Sequence, residues 1–98
     1  MGQTIEINRT DVIDHVLVVD TDRSLAGQEG ESYSGVEAAR SRAGFPARLA
    51  VALFESDRSI DHVFVMSNTV SVRRLAAWDD AARDAVIEVV ANFFRFYR

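Results

Sequence analysis

The residues of this chain best suited to chemistry are its two histidines and the acids near them. His15 and His62 titrate close to neutrality, and their ring nitrogens ligate metals. Each sits in the same short pattern, Ile-Asp-His-Val-x-Val, beginning at Ile13 and at Ile60. On a strand, His15 shares a face with Ile13, Leu17 and Val19, and His62 with Ile60, Phe64 and Met66, while Asp14 and Asp61 point the other way. If the two strands are neighbours, the histidines converge and take a metal together with Asp20, Asp22 or Glu31 from the acidic segment between them. The plainer reading is a half-buried histidine at each strand entrance, and it is preferred, because no HxxxH, HxH or cysteine spacing accompanies the pair.

Other chemistries find less support. Asp20, Asp22, Ser24 and Glu31 fall at positions 1, 3, 5 and 12 of a calcium loop, but position 6, which needs glycine, is Leu25, and position 8 is Gly27. A phosphate-binding reading of Gly27, Gly30 and Gly35 fails on Glu29, Glu31 and Glu37, which repel the anion that such a loop attracts. No GxSxG elbow is present, and Asp79 and Asp80 are explained by the electrostatics of a helix start. No cofactor pattern is found. Arginines gather at Arg40, Arg42 and Arg48 and again at Arg73 and Arg74. Either group could meet nucleic acid, yet the chain carries a net charge of −4 and its aromatics do not alternate with the arginines, so ordinary solvated faces are expected.

The strongest unassigned feature is the C-terminal Phe93-Phe-Arg-Phe-Tyr-Arg98. At 100° per residue a helix cannot aim all four aromatics one way: Phe93, Phe94 and Tyr97 cluster while Phe96 turns aside. Apolar surface left at a helix end marks a subunit or partner contact. The candidate interface is therefore Trp78, Val90, Phe93, Phe94, Phe96 and Tyr97, with Trp78, Leu25 and Tyr33 as the intramolecular cover that would compete with it.

Elements must hold these residues in place. Thr4–Asn8 alternates with period two and predicts a strand; Asn8–Asp11 is the turn after it, and the nearly continuous apolar run Val12–Val19 predicts a strand covered on both faces. Residues 20–34, with four acids and two glycines, predict an exposed mobile loop. A short helix is expected over Val36–Arg42, stopped by Gly44 and Pro46. Ala47–Phe54 and Ile60–Met66 predict a second hairpin about the turn at 55–59, and Thr69–Arg73 a short fifth strand after a tight turn at Ser67-Asn68. Asp79–Tyr97 predicts a long helix with the stripe Ala82, Val86, Val89, Val90, Phe93, Phe94 and Tyr97. The two Ile-Asp-His-Val patterns would match if the chain were a duplicated ββα unit, but six positions in apolar strands also recur by chance.

At 98 residues there is room for one core. The expected fold is a single α+β domain over 1–98, in the order ββαββ(β)α, with a mostly antiparallel sheet and the C-terminal helix packed across it. The absence of cysteine removes disulfides and thiolate chemistry; no apolar run is long enough to cross a membrane. All eleven basic residues are arginine, as in a bacterial gene of high GC content. The expected function is a cytoplasmic, non-enzymatic protein-interaction or regulatory domain, homodimeric, that contacts its partner or itself through the C-terminal helix. The alternatives are a small metal-dependent or ligand-binding enzyme built on His15 and His62, and a local nucleic-acid binder using Arg40, Arg42, Arg73 and Arg74.

Overall fold

The computed structural model describes residues 6–96, and side chains as far as Phe93. Five antiparallel strands form one sheet: β1 (Ile7–Ile13), β2 (Val16–Thr21), β3 (Glu31–Tyr33), β4 (Ile60–Met66) and β5 (Thr69–Arg74), in the spatial order β1-β2-β5-β4-β3. Three helices lie between and after them: α1 (Val36–Arg40), α2 (Phe45–Ser56) and α3 (Asp80–Phe96). The α+β class, the antiparallel sheet and the long C-terminal helix are as the sequence predicts; several element boundaries are not.

The first hairpin turns later than expected. β1 runs through the predicted turn at Asn8–Asp11 and ends where Ile13 pairs with Val16, so the turn is Asp14-His15, with Asp14 at φ 57°. Asp tolerates that left-handed conformation better than most residues, and polar Arg9, Thr10 and Asp11 suit an edge strand with much of its surface in water. The second hairpin is β4–β5 and not the expected pairing of Ala47–Phe54 with Ile60–Met66; its tight turn at Ser67-Asn68 is as expected, with Ser67 at φ 50°.

Ala47–Phe54 is helix, not strand. The segment FPARLAVALFES contains one β-branched residue, and Ala, Leu and Arg are strong helix formers. Pro46 opens this helix at its first turn instead of merely stopping α1, the position where proline's missing N–H costs nothing. Ala47, Ala50 and Phe54 recur at spacings of three and four beside Leu49 and Leu53, and all five are buried.

The acidic segment is tied down. Leu25 N–H and Ala26 N–H donate to Ser67 O at 2.6 and 3.1 Å, Ser67 N–H donates to Gly27 O at 3.1 Å, and Leu25 and Tyr33 are buried. Its far end is β3, which pairs with β4. Thr21 is fully buried; its hydroxyl lies 2.8 Å from Arg23 O and 3.0 Å from Asn68 O, and its one proton serves one acceptor at a time.

The core lies on one side of the sheet. Leu17, Val19, Val63, Val65, Val70 and Val72 project from the strands into Leu49, Ala50 and Leu53 of α2 and Val86, Val90 and Phe93 of α3. Phe45 and Phe93 meet edge to face, 4.8 Å between ring centres. Asp79 caps α3, its carboxylate accepting Ala82 N–H at 2.8 Å.

Candidate functional site

Strand registers place a second set of side chains on the sheet face opposite the helices. Ile13, Val16, Arg73 and His62 form one row across it; Asp11, Val18, Ser71, Phe64 and Ser32 form the next; Arg9, Asp20, Thr69 and Met66 form the third. None of these side chains is buried. β5 contributes a polar stripe, Thr69, Ser71 and Arg73, between an apolar patch of Ile13, Val16 and Val18 and another of Phe64 and Met66. Ile13 is 57% and Met66 39% exposed. The polar groups are internally matched: Thr69 Oγ1 donates to Asp20 at 2.8 Å, and Arg73 donates to both oxygens of Asp61 at 2.8 and 3.0 Å. The Arg73 guanidinium holds the Asp61 carboxyl below the usual carboxylate range, and Asp61 in turn raises Arg73.

The rim of this face is shaped by Gly30. A Cβ there would lie 2.7 Å from Phe64 Cζ and 3.0 Å from Met66 Cβ, and its φ of +79° suits glycine. The end of the acidic segment thus rests directly on the Phe64–Met66 patch.

The two histidines do not converge. His15 is in the β1–β2 turn and exposed, His62 is in β4, and β5 lies between β2 and β4, an offset of about 10 Å across the sheet. The loop acids are engaged elsewhere: Asp20 with Thr69, Asp22 with Arg23 and Glu6 N–H, Glu31 with Tyr33 and Arg42. Among the described residues no group of three or more His, Asp or Glu could hold a metal ion. The repeated Ile-Asp-His-Val is a hairpin turn at its first occurrence and the start of a strand at its second, so it marks no structural repeat.

The arginines proposed for nucleic acid also separate into two places, and each has a carboxylate partner. Arg40 pairs with Glu55 at 2.6 Å and Glu37 at 3.3 Å; Arg42 pairs with Glu31 at 2.8 Å and stands over the Tyr33 ring. Arg73 is held by Asp61, and Arg74 is largely buried 2.9 Å from Asp57.

Of the candidate aromatic interface, Val90 and Phe93 face inward and belong to the chain's own core. Trp78 is half-buried against that core; its Nε1–H donates to His15 O at 2.8 Å, and the Arg74 guanidinium stands 5.2 Å from its ring. The side chains of Phe94 and Phe96, and all of Tyr97, lie outside the described residues. That no described helix lies on this sheet face was legible only in part. The run Val12–Val19 predicts a strand covered on both faces, and among the described residues helices lie on one.

No protein family and no curated protein matches this sequence. A similar solved structure is protein SAV1430 from Staphylococcus aureus, a crystal structure 15% identical in sequence, with a TM-score of 0.58 over 91% of this chain and 98% of that one. At that identity the likeness shows a shared fold.

Proposed function

We propose that this chain is a protein-interaction domain, acting in a bacterial cytoplasm, that binds its partner through the helix-free face of the sheet. The observation that carries the reading is the pair of apolar patches, Ile13, Val16 and Val18 on one side and Phe64 and Met66 on the other, on a face that none of the described helices covers. Apolar surface gathered in this way is characteristic of contact sites. The polar stripe of β5 between them would set the register of the partner, since Thr69, Ser71 and Arg73 present donors and acceptors at strand spacing. Val90 and Phe93 take no part in this contact because they are committed to the core. No helix among the described residues is long and apolar enough to cross a membrane.

The test is affinity capture from host-cell lysate with three immobilised proteins: wild type, Val18→Asp/Phe64→Ser, and Glu88→Arg, the last on the exposed side of α3. A protein held by wild type and Glu88→Arg but lost from the sheet-face variant, and rebound when purified, is the expected result. Equal capture by all three, or loss caused by Glu88→Arg, would remove the sheet face from the function.

A further inference from the structure

β1 is an edge strand, and among the described residues it pairs with β2 alone. Edges of this kind are normally blunted by bulges, by charges that repel a second strand, or by a covering element. The bulge of β1 lies at its start, at Asn8, and leaves Arg9 to Ile13 in regular register. Its two charges are of opposite sign: Arg9 and Asp11 stand two residues apart on the open face, 73% and 54% exposed, with 3.9 Å between their charged groups. Beyond them Val12 is 44% and Ile13 57% exposed. An edge with alternating signs and apolar residues at its end does not repel a copy of itself.

We propose that β1 pairs antiparallel with β1 of a second copy of this chain, about a two-fold axis at Thr10, so that two five-stranded sheets become one continuous sheet. Residues directly opposite in an antiparallel pair share a face, so a symmetric register has to centre on a residue. Centred on Thr10, it sets Arg9 opposite the partner's Asp11 and Asp11 opposite the partner's Arg9. Centred on Asp11, it sets that carboxylate against the partner's Asp11; centred on Arg9, it sets guanidinium against guanidinium. Like charges directly opposite are destabilising, and the charges of the strand therefore favour Thr10 over its two neighbours as the centre. In that register Val12 comes opposite the partner's bulged Asn8, where regular pairing ends. The paired stretch is short, which places the dimer among weak associations that form at high protein concentration. The pairing is independent of what occupies the open face; it would make the open faces of the two copies one continuous surface.

Sedimentation velocity of the full chain, from micromolar to millimolar protein at low salt, tests this. Wild type is expected to shift from monomer towards dimer as concentration rises, and the dimer to weaken with added salt. Arg9→Asp and Asp11→Arg each set like charges face to face at both contacts and are expected to weaken self-association about tenfold or more. Both sites are exposed, so the far-ultraviolet circular dichroism of each variant should match wild type. Mixing the two single variants opposes an all-acidic edge to an all-basic one and is expected to restore association as a heterodimer. A wild type that stays monomeric throughout, a dimer indifferent to both substitutions, or a mixture no tighter than its components would overturn the proposal.

Discussion

Tyr33 joins the sheet's short edge strand to the core through a group that ought not to ionise. Its ring is buried and its hydroxyl donates to Glu31 at 3.1 Å. Burial first, and then the neighbouring Glu31 carboxylate, push the phenol from its ordinary value of 10.0 up to about 12, against a smaller opposing pull from Arg42. A proton held more tightly in the folded chain than in the unfolded one stabilises the fold below the ordinary phenol range. That stability is lost as pH rises from 10.0 through about 12. Denaturant midpoints measured across this range should fall, and phenolate absorbance should rise for Tyr33 only as the fold is lost. Tyr33→Phe should flatten the alkaline decline. At neutral pH it should cost about 0.5–1.5 kcal/mol, towards the lower end, because Arg42 still satisfies Glu31 at 2.8 Å. A Tyr33→Phe variant with an unchanged alkaline decline would assign that decline to another group.

At the level of elements, the close approach of β3 to β4 depends on Gly30, where a φ of +79° coincides with a Cβ position 2.7 Å from the Phe64 ring. Gly30→Ala should lower stability by about 1–3 kcal/mol in urea denaturation, whereas Gly27→Ala, with nothing within 4 Å of its Cβ, should stay within about 0.5 kcal/mol of wild type. Equal effects at the two glycines would mean that the segment yields instead of holding its contact with Phe64. Such contacts cannot be read from composition, which is why residues 20–34 look like a loose loop although they hold a buried Leu25 and a strand. The helix α2 was open to sequence reading: Ala47–Phe54 is apolar almost throughout, which suits a buried strand, but one β-branched residue in eight and Pro46 at its head favour a helix. α3 is clear from sequence because its apolar residues recur at three and four, its start is acidic, and glycine and proline are absent.

Over the whole molecule, class and sheet type follow from local patterns, whereas the location of the candidate site follows from topology. The order β1-β2-β5-β4-β3 separates the two histidines and brings Val16 and Val18 onto the same face, opposite the described helices, as Phe64 and Met66, across a strand that no local pattern of β2 or β4 reveals. The same topology gathers distant segments at the other end of the sheet. Trp78 Nε1–H reaches His15 O in the first hairpin turn; Arg74 stands over the Trp78 ring, donates to Ala77 O at 2.5 Å, and places its buried Nε 2.9 Å from Asp57 Oδ2 without the alignment of a hydrogen bond. One largely buried cation thereby joins β5, the Asp57 turn and the segment at 77–78, and Trp78 ties in the first hairpin turn. Arg74→Ala removes the cation from Asp57 and the donor from Ala77 O, and should cost about 1.5–3 kcal/mol, the range for hydrogen bonds to charged groups. Because the chain has one core, unfolding is expected in a single transition. Trp78, the sole tryptophan, reports on this junction while far-ultraviolet circular dichroism reports on the whole. In the Arg74→Ala variant both midpoints should fall together. A fluorescence midpoint that falls ahead of the circular dichroism would show that the junction opens on its own, and that Arg74 secures one end of the sheet without contributing to the cooperative unit.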